Sequence, residues 1–196
     1  MKLSKVFSLL KQKKNIVIMQ GEDCQWIGDG YAMYPIYGLP DFTEHNLRIL
    51  LDVKEDDWHK YRCEFKEKVS FSEKDCVPGE IPLIDAKMTI NRKGVNFLLL
   101  TCNKTVYFID DKYTKPLGDE YISYNYRTGE RGGIIALMEG LVLRGVVVPI
   151  LPDKDLVSDL RGVCKLAEQI SPRYQEPDNQ DYEDNLSLFK DGEDDA

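Results

Sequence analysis

The chain has 196 residues, 42% of them hydrophobic and 31% charged, with a formal net charge of −8. That length and apolar content exclude a fibrous or wholly disordered chain and suit one folded domain with a sizeable core. No run approaches 18 apolar residues, so neither a membrane helix nor a membrane partner is expected.

The charge is unevenly placed. Residues 171–196 hold nine acids and two bases, a net of −7 that leaves −1 for residues 1–170. The first fourteen residues carry five lysines, Lys2, Lys5, Lys11, Lys13 and Lys14. An acidic protein with a locally basic segment keeps a surface able to meet nucleic acid, and these five lysines are the candidate DNA contacts. The opening stretch has no long apolar run and no small-residue cleavage site, so a signal peptide is not expected and the cytoplasm is the default. Five scattered cysteines without a C-x-x-C pair predict reduced thiols rather than disulfides. Two histidines and dispersed acids offer no metal-ligand spacing, and no cofactor or metal is expected.

In chain order, Leu3, Val6, Phe7, Leu9 and Leu10 stand at helical spacing and predict an amphipathic helix over 3–12. A buried strand is expected at 15–20. Two more strands, in "CQWIGD" and "GYAMYPIYG", are joined by a tight turn at Gly28-Asp29-Gly30. A helix follows, capped by Asp41 or Thr43, with Leu47, Leu50 and Leu51 on its apolar stripe. Residues 54–82 alternate aromatic and charged side chains and fit strand or helix equally, ending in a "CVPGEIP" loop. Three strands are expected in "KMTINRKG", "VNFLLLTC" and "KTVYFIDD", then a stretch outside the sheet, then strands in "EYISYNYR", "GIIALMEG" and "LVLRGVVVPIL". A last helix runs from Asp153 to Ile170. The clustering of strands predicts an α+β domain over 1–170, largely antiparallel with about three helices. A flexible acidic tail is expected over 171–196.

No catalytic motif emerges. Arg127-Thr-Gly-Glu-Arg-Gly-Gly133 lacks the spacing of a phosphate loop and precedes a strand, so it reads as a hairpin turn. Trp26, Tyr31, Tyr34 and Tyr37 lie close together without an interleaved basic residue, which favours sheet positions over base stacking. The chain is therefore expected not to be an enzyme. The alternative is a small-molecule enzyme with a site among Asp29, His59 and Asp110.

Within the acidic tail stands Asn185-Leu186-Ser187-Leu188-Phe189, an apolar cluster that a solvated segment does not need. It resembles the short peptide by which many bacterial replication and repair proteins bind the DNA polymerase III sliding clamp, approximately Gln-Leu-Ser/Asp-Leu-Phe. Asn185 stands where glutamine is usual. The resemblance implies that Leu188 and Phe189 enter an apolar pocket, Leu186 packs beside it and Ser187 faces out. The order of elements over 1–151, with Asp29-Gly30 in mid-domain and a last strand ending Val148-Pro149-Ile150, is similar to a single DNA sliding-clamp domain. It also resembles small proteins of bacteriophages and mobile elements. Together these imply an accessory protein at bacterial DNA replication, with the sliding clamp as partner, DNA as a further candidate and a second copy of the chain another. An acidic tail that binds basic partners by charge alone is the remaining alternative, as is a tail that docks on its own body.

Overall fold

The computed structural model describes residues 1–103, 105–118, 121–129 and 132–170, the last helix at Cys164 and over 167–170 by its backbone only. The chain divides into two compact units, Met1–Leu151 and Pro152–Ala196.

In the first unit, α1 (Leu3–Lys13) buries Val6 and Leu10 and ends at Lys14 in the left-handed region. β1 (Asn15–Gln20), β2 (Gln25–Gly28) and β3 (Ala32–Ile36) follow as an antiparallel meander. α2 (Glu44–Leu50) begins at Thr43, whose hydroxyl accepts the Asn46 N–H while the Asn46 side chain accepts the Thr43 N–H. This reciprocal cap fixes the helix start at the second of the two predicted candidates. A single helical turn, α3 (Glu55–Trp58), leads to β4 (Arg62–Lys66). Residues 67–80 then form an irregular strap.

β5 (Ile81–Arg92), β6 (Val95–Cys102) and β7 (Thr105–Asp110) make a second meander. Its first turn is Lys93-Gly94, both with positive φ, the geometry that matches the twist of flanking strands. Two consecutive 3-10 turns, Asp111–Tyr113 and Lys115–Leu117, pass beneath α1, where the Lys2 N–H donates to the Pro116 carbonyl at 2.6 Å. β8 (Ile122–Gly129), β9 (Gly132–Glu139) and β10 (Val142–Val147) complete the strands.

The ten strands run β4-β1-β2-β3-β10-β9-β8-β5-β6-β7. The architecture is α+β with a mostly antiparallel sheet, as expected, although β1 and β4 pair in parallel. β5 starts earlier than the sequence suggests, at Ile81. Its first residues pair with β8 and its later ones with β6, with an irregularity between Asp85 and Thr89 where Lys87 has φ 55°. That bend brings β7 round to the segment after β10, where the Ile150 N–H donates to the Phe108 carbonyl at 2.7 Å. From Asp85 to Thr89 β5 advances four residues while β6 advances two, and such extra residues bend a strand and increase its twist.

Two apolar clusters form on opposite faces of the sheet. The larger packs α1 and α2 with Ile16, Ile18, Ile27, Tyr34, Leu100, Ile109, Ile135 and Leu137. The smaller gathers Val17, Met19, Trp26, Met33, Ala136, Met138, Leu143 and Val146 beneath strap residues Val69 and Phe71. Each large side chain fully buried in these clusters stabilises the fold by about 1.5–3 kcal/mol.

Three tyrosines carry hydroxyls into the larger cluster. Burial, reinforced by the Asp29 and Asp110 carboxylates, pushes Tyr34 and Tyr113 far above the ordinary phenol value, and burial pushes Tyr124 up to about 12. The folded chain therefore holds protons at high pH that the unfolded chain releases near pH 10. Stability contributed by this difference is complete below about pH 10 and falls as pH rises towards the folded value. Urea denaturation between pH 9 and 12 is expected to show a loss of about 2 kcal/mol attributable to Tyr124, which Tyr124→Phe removes.

In the second unit, α4 (Lys154–Ile170) starts at Asp153, whose carboxylate accepts the Leu156 N–H at 2.8 Å. The expected flexible tail, residues 171–196, lies outside the described residues.

Candidate functional site

The turn between β2 and β3 places Asp29 in the protein interior. One carboxylate oxygen accepts the N–H groups of Tyr31 and Ala32 at 2.9 and 3.0 Å, and the other accepts the Tyr113 hydroxyl at 2.7 Å. Tyr34 donates its hydroxyl to the Tyr113 carbonyl at 2.7 Å, tying β3 to the 3-10 turns. Asp110, also buried, caps the first of those turns and pairs with Lys112, whose ammonium stands 4.5 Å from the centre of the Tyr113 ring. The fold thus brings Asp29 and Asp110 to the same tyrosine. Their oxygens serve a turn, a helix cap and an ion pair, which is the satisfied state of a structural carboxylate.

His59 is the residue that closes α3. Neither Asp29 nor His59 lines the cavity under residues 70–77, the cleft beside Lys112 or the cleft between Gln20 and Asp41. Asp110 lines the cleft beside Lys112, so these clefts do not gather Asp29, His59 and Asp110 together. Among the described residues no group of three or more histidines, cysteines and acids is placed to hold a metal ion.

The five amino-terminal lysines are all exposed but do not converge. Lys11 reaches the Asp52 carbonyl at 3.4 Å, Lys14 ends the helix, and the Lys2 ammonium lies beside Gly118. Only Lys13 lines a cleft, about 520 Å³ in volume, with Gln12, Asn96, Asp111, Lys112 and Lys115. Lys112 and Lys115 there are paired with Asp110 and Asp111, so the cleft carries little free positive charge. The aromatic group divides as well: Trp26 and Tyr34 are buried on opposite faces of the sheet, while Tyr31 and Tyr37 are exposed. Asn185, Leu186, Ser187, Leu188 and Phe189 lie outside the described residues.

Arg127, at the start of the expected hairpin turn, has a role that no motif marks. Arg127 lies on β8 with only 3% of its surface exposed, facing the smaller cluster. Its Nε donates to Glu80 at 2.7 Å, and Nη1 donates to the carbonyls of Ser72 and Lys74 at 3.3 and 2.8 Å. Nη2 donates to the Asp75 carbonyl at 2.9 Å and to the Met138 sulfur at 3.8 Å. All five guanidinium protons are thereby engaged. Further clamps hold the strap: Glu73 accepts the Trp26 indole N–H at 2.6 Å and the Glu22 N–H at 3.0 Å, and Asp75 accepts the Leu143 N–H at 2.7 Å. The Phe71 ring stands edge-on to Trp26 at 4.9 Å. Between strap and sheet remains a cavity of about 180 Å³. The alternation of Tyr124 and Tyr126 with Arg127 is the signal in the sequence, since it sets an arginine on the sheet face opposite two tyrosines.

No family model, curated protein or solved structure matches the chain.

Proposed function

We propose that the chain is a non-enzymatic accessory protein of bacterial DNA replication, of phage or mobile-element type, that docks on the polymerase III sliding clamp through Asn185–Phe189. The observation that carries the reading is the run Leu186-Ser187-Leu188-Phe189, which agrees with the clamp-binding peptide at four consecutive positions and sits among nine acids. Two features of the body support it. The Met1–Leu151 unit forms its apolar clusters from its own side chains. No buried side-chain nitrogen or oxygen among the described residues lacks a hydrogen-bond partner. The clamp-like reading of the body itself rests on the order of its elements, on Asp29-Gly30 at the β2–β3 turn and on Val148–Ile150 after β10.

A short anchor pays little ordering entropy, and two or three buried apolar side chains then yield micromolar affinity. Calorimetric titration of purified bacterial sliding clamp into the full chain is expected to show one saturable micromolar site per clamp pocket. Asn185→Gln, which restores the longer amide of the usual peptide, is expected to tighten it severalfold. Heat that vanishes in moderate salt and is indifferent to Leu188 and Phe189 points instead to an acidic tail acting by charge.

A further inference from the structure

The cavity under the strap is lined in a way that specifies a ligand class. Its floor is Met19, Met33 and Val146, and its roof is Phe71 with Val77. Arg127 is the one charged residue among its described lining, and every guanidinium proton is already committed to the strap, to Glu80 or to Met138. A charged ligand would find no free counter-charge among these described residues and would lose its hydration. The described residues of the mouth are polar but neutral. Ser70 and Thr128 line it, and Gly132 has open space where a side chain would stand.

We propose that this cavity is a binding site for a small neutral aromatic molecule of one or two fused rings. Volume sets the size, since an apolar cavity of roughly 150 Å³ already accepts benzene, and this one measures about 180 Å³. The thioethers of Met19 and Met33 favour an aromatic over an aliphatic occupant, because sulfur packs well at ring edges. Phe71, already edge-on to Trp26, offers a second ring contact. A polar substituent on the ligand would point to the mouth and exchange hydrogen bonds with Ser70 or Thr128. The site is independent of the clamp-docking tail.

Indole is the probe. Calorimetric titration into the full chain is expected to give saturable binding with a dissociation constant below about 1 mM. On methyl-labelled protein the signals of Met19 and Met33 shift with indole while that of the exposed Met88 stays in place. Val148→Trp and, separately, Thr128→Trp fill the mouth from two exposed positions and are expected to weaken binding at least tenfold with the melting temperature unchanged. Val106→Trp, on an exposed position of β7, leaves binding intact. Absence of saturation at about 5 mM indole overturns the proposal. So do methyl shifts that miss Met19 and Met33, or binding that survives both mouth substitutions.

Discussion

Arg127→Ala is expected to lower the unfolding free energy by about 3–5 kcal/mol, the range found when one partner of a buried ion pair is removed. The reason is the state in which the substitution leaves its neighbours. Glu80, its side chain 12% exposed, loses the guanidinium 2.7 Å away and stays inside as an uncompensated charge. The carbonyls of Ser72, Lys74 and Asp75 lose their donors together, and an orphaned buried acceptor costs about 1–3 kcal/mol unless water reaches it. Arg127→Lys keeps the charge but offers one point where the fork of the guanidinium reaches five, so it is expected to recover less than half of the loss. The double replacement Arg127→Met with Glu80→Leu removes both charges and is expected to be milder than Arg127→Ala. Denaturant midpoints measure the effect. Limited trypsin digestion locates it: cleavage after Lys74 is expected to accelerate in Arg127→Ala, because the strap opens before the sheet does. A loss below about 1 kcal/mol with unchanged cleavage contradicts the view that Arg127 anchors the strap.

Leu188→Ala combined with Phe189→Ala is expected to abolish clamp binding by the full chain, a loss of at least 100-fold. Truncating two anchor side chains forfeits about 1.5–3 kcal/mol each, and a micromolar complex has little to spare. If the tail docks on a partner and not on the body, the same variant leaves the denaturant midpoint of the body unchanged. If Leu188 and Phe189 instead dock on the body, the double substitution shifts that midpoint and leaves the clamp indifferent. The two readings thus predict opposite outcomes from one variant.

Where local chemistry decides structure, the sequence was sufficient. Thr43, one of the two caps expected for α2, the Lys93-Gly94 turn that closes the strand expected in "KMTINRKG", and Asp153 at the expected start of the last helix each act within four residues. β4 was ambiguous because its partner β1 lies over 40 residues away and pairs in parallel, so no hairpin turn announces it. The start of β5 was hidden by Pro82, which reads as a loop residue but here faces Asn125 near the strand's first end. The strap has no periodicity at all. Its conformation is written in Glu73, Asp75 and Glu80 reaching Trp26, Leu143 and Arg127, contacts that no local pattern encodes. The candidate enzyme site shows the converse. Asp29 and Asp110 do come near the same tyrosine, but the oxygens of Asp29 are taken by Tyr31, Ala32 and Tyr113 and those of Asp110 by Lys112.

The central claim concerns ten residues and is best tested on them alone. A fluorescent peptide spanning Asp181–Lys190 is titrated with purified bacterial sliding clamp, and anisotropy is followed. The account predicts saturable micromolar binding that is lost when Leu188 and Phe189 are both alanine. No measurable binding at about 100 μM clamp contradicts it.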